Sequence, residues 1–140
     1  MKKVIFNRKG LSLIEMLVVI GILAFIMSVV ARSVSQSRKK SQVSQAKILI
    51  GLIEQAMEEF SYDCGYYPES LEELVSAPED CEEWGPQPYL KNGKIPKDPW
   101  GQDFQYEYDE DSGNYAIMSF GADRKPGGSG RFNKDISSLD

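Results

Sequence analysis

The chain has 140 residues, enough for one modest domain, with 16 Lys and Arg against 21 Asp and Glu for a formal net charge of −5. It contains no histidine, which removes the usual general base and the usual zinc ligand. Between Glu54 and Asp111 the sequence is acidic, with Lys91, Lys94 and Lys97 as its only basic residues, the reverse of the basic footprint that binding to nucleic-acid phosphates requires.

Four basic residues, Lys2, Lys3, Arg8 and Lys9, precede an apolar run. From Met16 to Ala31 (MLVVIGILAFIMSVVA) there is no charge. With Leu11 to Glu15 added, the run reaches the roughly 20 residues that cross a hydrocarbon core as a helix. A cleaved secretory signal is the alternative, but it needs an apolar region of roughly 7–15 residues and an A-x-A-like site. Ser28 to Ser33 (SVVARS) is a poor version of that site. The basic leader orients the helix with its N-terminus in the cytoplasm, although Arg32, Arg38, Lys39 and Lys40 on the far flank weigh against this. Glu15 is the anomaly. A carboxylate costs on the order of 2.5–3.5 kcal/mol at the centre of a bilayer and less near its interface. It is therefore either an interfacial residue favoured by the positive end of the helix dipole or a group that acquires a partner.

Beyond the SRKKS segment, Val43, Ala46, Ile50, Ile53, Met57 and Phe60 recur at steps of three and four, which predicts an amphipathic helix continuous with the apolar run. Ile48, Leu49 and Leu52 widen its apolar surface, so that one face can serve a core and another can meet neighbouring helices. Gly65 and Pro68 predict an end near Asp63 to Gly65. Cys64 and Cys81 either form a bridge, for which the loop-closure expectation is about 3 kcal/mol and which suits an oxidising compartment, or remain free thiols. They do not complete a metal site by themselves. PESLEELVSAP predicts a short helix with Ser70 and Glu73 as a capping box. A proline-punctuated loop follows, in which Pro96 and Pro99 stiffen the chain and Trp100 buries apolar surface. QDFQYEY and NYAIMSF then alternate as two strands around a DSGN turn, Asp111 to Asn114. The predicted class is α+β, a long helix packed on a small antiparallel sheet.

The string RKG followed by LSLIEMLVVIGILAFI resembles the class III signal of type IV pilins and type II secretion pseudopilins. KIPKDPWGQDFQYEY, SFGADRKPGGSG and KDI, with YYPESLEELVSAP before them, are similar to the major pseudopilin of type II secretion systems in particular. The resemblance implies a type IV pilin-like fold with residues 1–10 a cleaved leader, 11–31 the membrane and assembly helix, 32–63 its amphipathic continuation and 64–140 a periplasmic globular region. It implies cleavage between Gly10 and Leu11 by a prepilin peptidase, N-methylation of Leu11, and pairing of Glu15 with the terminal amine of a neighbouring subunit. Here the first mature residue is Leu11 rather than the usual phenylalanine, and Arg32 stands where relatives commonly have proline, which predicts a straighter helix.

The same resemblance assigns calcium to the loop from Phe120 to Ile136, held by Asp123, Asp135 and main-chain oxygens near Phe120 and Phe132. Glycines and Asp carboxylates supply the oxygen-rich, tightly turning backbone that calcium favours. Arg124, Lys125, Arg131 and Lys134 offer a rival, an ion pair in place of the metal. The implied role is non-enzymatic: an inner-membrane, single-pass subunit, N-terminus cytoplasmic, that polymerises as a homo-oligomeric helical fibre, the pseudopilus. Its implied partners are minor pseudopilins and an inner-membrane assembly platform, with no nucleic acid. Other readings are a type IV pilin for adhesion, motility or DNA uptake, or a monomeric membrane-anchored binding protein. A small anchored hydrolase is disfavoured by the lack of histidine and of a nucleophile elbow.

Overall fold

The computed structural model describes residues 12–109 and 111–140. The leader and both residues of the expected cleavage site, Gly10 and Leu11, lie outside them. One helix, α1, spans Leu13–Cys64. The chain divides into two compact units between Arg38 and Lys39.

In the first unit, α1 begins where the Ser12 carbonyl accepts the Glu15 and Met16 amides at 3.0 and 3.2 Å. Its apolar side chains from Leu13 to Val34 are exposed, and none of its most apolar window is buried. A helix satisfies its backbone hydrogen bonds internally, as a lipid environment demands, so this segment is long and apolar enough to cross a membrane. The Ser28 hydroxyl follows the same logic by donating to the Phe25 carbonyl at 2.7 Å. The helix passes through Arg32 without a break.

In the second unit the predicted periodicity becomes a core stripe. Ala46, Ile50, Ile53, Ala56, Met57 and Phe60 are buried, while Val43 is only half-buried at its margin. They join Leu71, Leu74, Leu90, Phe104, Ile117 and Ile136 in one hydrophobic cluster. Each fully buried side chain of this size contributes about 1.5–3 kcal/mol. Tyr66 and Tyr89 pack edge-on against Phe60, with ring centroids 5.5 and 5.7 Å away. The helix stops because Gly65 adopts φ +80°, and its N–H closes the last turn on the Ser61 carbonyl at 2.9 Å.

The predicted short helix is one 3₁₀ turn, Leu71–Leu74. Side chains at i and i+3 eclipse in this geometry, which sends Leu71 and Leu74 together into the core. The capping box does not form as predicted. Ser70 is extended at the N-cap position but makes no side-chain cap, and Glu73 instead accepts the Glu69 amide at 3.4 Å.

Strands β1 (Gln105–Asp109), β2 (Asn114–Ser119) and β3 (Ile136–Ser137) form an antiparallel sheet in the order β1-β2-β3. Tyr106 pairs with Ile117, and Ser119 with Ile136. Asp109 organises the turn between β1 and β2 by accepting the Asp111 amide on Oδ1 (3.1 Å) and the Ser112 hydroxyl on Oδ2 (2.7 Å). The first strand begins three residues later than predicted, and β3 was not predicted. A two-residue strand inside a glycine-rich segment has no alternation to detect.

Candidate functional site

Three places carry the residues that the sequence singled out. At the first, Glu15 is exposed in the first turn of α1, the third helical residue after Ser12. There the unsatisfied amides of the helix start favour a carboxylate.

At the second, Cys64 and Cys81 form a disulfide with Cα atoms 5.3 Å apart. It fastens the end of α1 to the segment carrying Trp84. The Trp84 indole donates to the Glu73 carbonyl at 2.9 Å and stacks edge-on with Tyr89.

The third is the glycine-rich loop after β2 and the proline loop beside it. Sequence reasoning chose Pro96, Pro99 and Trp100 in the proline loop but missed its organising residue, Asp98. That side chain is buried. Its Oδ1 accepts the Trp100 and Gln102 amides at 3.0 and 2.8 Å, and its Oδ2 accepts the Ser119 hydroxyl at 2.7 Å. A buried carboxylate persists only when several donors meet it. Ser119 also accepts the Gly121 amide at 3.3 Å, so the strand end and the start of the glycine-rich loop share this hub. Trp100 itself is half-buried against the core. Gln42 on α1 donates to the Pro99 carbonyl at 3.3 Å.

Within the glycine-rich loop, Phe120 precedes a 3₁₀ turn, Gly121–Asp123. Gly121 has φ +70°, and a Cβ there would stand 3.1 and 3.2 Å from the Lys134 and Phe132 carbonyl oxygens. A Cβ on Gly128 would collide with the Asn133 carbonyl and lie 2.7 Å from Asp123 Oδ2. The two ends of the loop are thus drawn together around carbonyl and carboxylate oxygens, an approach that only glycine permits. Asp135 Oδ2 accepts the Gly127 amide at 2.8 Å, whereas Oδ1 is buried without a hydrogen-bond partner. One Phe132 carbonyl lone pair is taken by the Ala122 amide at 3.2 Å.

This donor set suits a hard cation: two carboxylates, one with a buried unpaired oxygen, and several main-chain carbonyls. Among the described residues no cluster of three or more His, Cys, Asp or Glu side chains forms a metal site, so carbonyls must complete any coordination. The rival ion pair is not made. Arg124, held at φ +60°, sends its guanidinium to the Trp100 carbonyl at 3.1 Å, and Lys134 pairs with Asp140 at 3.1 Å. Among the described residues neither they nor Lys125 or Arg131 pair with Asp123 or Asp135.

Residues 33–139 match the family described as type II secretion system (T2SS), protein G. The chain belongs to this family. Residues 5–31 match the prokaryotic N-terminal methylation motif, so the apolar helix and its signal fit a membrane-anchored subunit. Type II secretion system core protein G of Vibrio cholerae is 34% identical over 130 residues, 89% of this chain and 87% of that one. The Pseudomonas aeruginosa protein of the same name is 34% identical over 140 residues, 96% of each chain. The crystal structure of the major pseudopilin from the type 2 secretion system of enterohaemorrhagic Escherichia coli superposes with a TM-score of 0.54. It covers 74% of this chain and 91% of that one at 24% identity, and it establishes the pilin-like fold.

Proposed function

We propose that this protein G family member is a structural subunit that polymerises through α1 into a periplasmic pseudopilus driving type II protein secretion. The observation that carries the reading is the family match over the globular region, joined to a methylation motif on an exposed apolar helix. Such a helix leaves lipid only if other helices replace it, so assembly works by packing. No catalytic step is assigned to the chain, a reading supported by its lack of histidine.

In this reading the chain inserts with its N-terminus in the cytoplasm of a bacterial cell and its globular region in the periplasm. A prepilin peptidase cuts between Gly10 and Leu11, and Leu11 is N-methylated. The Glu15 carboxylate then meets the terminal amine of a neighbour, which offsets the cost of carrying a charge at the edge of an apolar helix. Minor pseudopilins and an inner-membrane assembly platform are the further partners. Calcium would be held by Asp123 and Asp135 with carbonyls at Phe120 and Phe132. When bound it supplies positive charge that neutralises the two carboxylates. The chain's own contribution is to fix their spacing through Gly121 and Gly128.

Co-expression with a prepilin peptidase followed by intact-mass measurement tests the reading. The expected product lacks residues 1–10 and carries one added methyl group. A chain that keeps its leader would contradict the assignment.

A further inference from the structure

α1 enters the globular unit at Lys39 with little core to hold it. Among the described residues of α1, none before Ala46 is buried, so the turn from Lys39 to Gln42 is fixed by contacts at its surface. Two such contacts come from the side of the glycine-rich loop. The Lys39 ammonium lies over the Phe132 ring, 5.9 Å from its centroid, within the range of a cation–π attraction. Gln42 donates to the Pro99 carbonyl at 3.3 Å. Lys39 and Gln42 stand three residues apart in sequence and share one helix face.

Each contact leads back to an oxygen of the candidate cation loop. Phe132 turns its ring to α1, while its carbonyl oxygen stands 3.2 Å from where a Gly121 Cβ would be. Pro99 adjoins Trp100, whose carbonyl accepts the Arg124 guanidinium at 3.1 Å, and Arg124 follows Asp123. Arg124 holds φ +60°, a left-handed backbone that a residue other than glycine adopts at a cost, and the bond to Trp100 offsets it.

We infer that the glycine-rich loop is a cation-dependent clasp on the entry turn of α1, a step that rests on the calcium reading above. Fixing the Phe132 carbonyl and the Asp123 carboxylate around one ion also fixes the Phe132 ring and the Arg124 backbone, the two points from which the clasp reaches the helix. Without the ion, Asp135 Oδ1 stays buried and unpaired in the same loop, and a turn with no buried side chain opens readily. Coupling of this kind is reciprocal: the factor by which loop occupancy orders the turn is the factor by which an ordered turn tightens the loop on its ion. Lys39 and Gln42 thereby act on ion affinity as positioning residues, without touching the ion.

The test follows hydrogen exchange of the full chain in detergent micelles, with calcium and with chelator. The amides of Val43 to Ala46 report on this turn because in a helix they bond to the carbonyls of Lys39 to Gln42. Calcium is expected to slow their exchange about fivefold or more. Phe132→Leu keeps the carbonyl and an apolar side chain but removes the aromatic face, and it is expected to reduce that slowing while calcium still raises the melting temperature. Lys39→Met with Gln42→Ala, both outside the loop, is expected to weaken calcium binding in a calorimetric titration by the same factor of protection that it removes. Lys40→Met makes the same change of charge one position off the contact and is expected to alter neither. A loop that binds calcium while exchange at Val43 to Ala46 stays the same, or an affinity untouched by the paired Lys39 and Gln42 substitutions, overturns the clasp and leaves the calcium reading standing. A chain whose melting and titration show no calcium binding refutes the calcium reading, and the clasp with it.

Discussion

Asp98 has only acceptor lone pairs to offer, and burial forces it to find donors: the Trp100 and Gln102 amides and the Ser119 hydroxyl. Asp98→Ala strands all three, so it is expected to lower unfolding free energy by about 3 kcal/mol, read from urea denaturation. Ser119→Ala should cost about 1 kcal/mol and add less than its full value to Asp98→Ala, because the two share one bond. A shift below the error of the measurement would show that the hub is incidental. DPWG marked the loop from sequence, but Asp98 reads as an ordinary turn acid until Ser119, 21 residues away, is brought beside it. Tyr115 shows a similar dependence on folding. Burial, then the charges of Glu54 and Glu58, push its phenol up to about 12 from a model-peptide value of 10.0. The folded state therefore holds the proton more tightly than the unfolded chain. Its contribution is complete below pH 10 and is lost as pH rises toward about 12. Tyr115→Phe should flatten the fall of melting temperature over that window; an unaltered slope would assign the alkaline loss to other groups.

Among the elements, the glycine-rich loop is the one on which the proposed calcium would act. Ordering a loop of this length costs conformational entropy, and Asp135 Oδ1 is buried with no donor. Calcium addition is expected to raise the melting temperature and chelation to reverse the rise, while Asp123→Ala should abolish both responses. A melting curve indifferent to calcium and chelator would remove calcium from the account. The disulfide acts on a different loop. Reducing Cys64–Cys81, or replacing both residues with serine, is expected to lower stability by about 3 kcal/mol by freeing the unfolded chain, seen as a lower denaturant midpoint. An unmoved midpoint would mean that the Trp84 and Tyr89 contacts alone hold the segment. The core stripe of α1 was legible because its period is local. The 3₁₀ turn was read as an ordinary helix, since Ser70 and Glu73 satisfy the pattern of a capping box without making its bonds.

At the scale of the molecule, every residue of the hydrophobic cluster lies beyond Arg38, and the exposed apolar half of α1 contributes nothing to it. A chain beginning at Lys39 is therefore expected to fold alone and to show the same cooperative thermal transition by circular dichroism as the complete protein in detergent. Loss of that transition would mean that the first unit supports the second. The sequence by itself determined what is periodic or contiguous: the membrane-length run, the methylation motif over residues 5–31, the core stripe, the two longer strands and the α+β class. Each rests on interactions between residues a few positions apart, or on composition, which a linear string preserves. Tertiary structure alone decided that Asp98 is a buried hub, that β3 completes the sheet, and that Arg124 reaches the Trp100 carbonyl rather than an aspartate. It also decided which face of α1 remains uncovered. Those facts depend on residues tens of positions apart meeting at hydrogen-bonding distance, and only the packed chain fixes which polar groups lose water and which partners they gain.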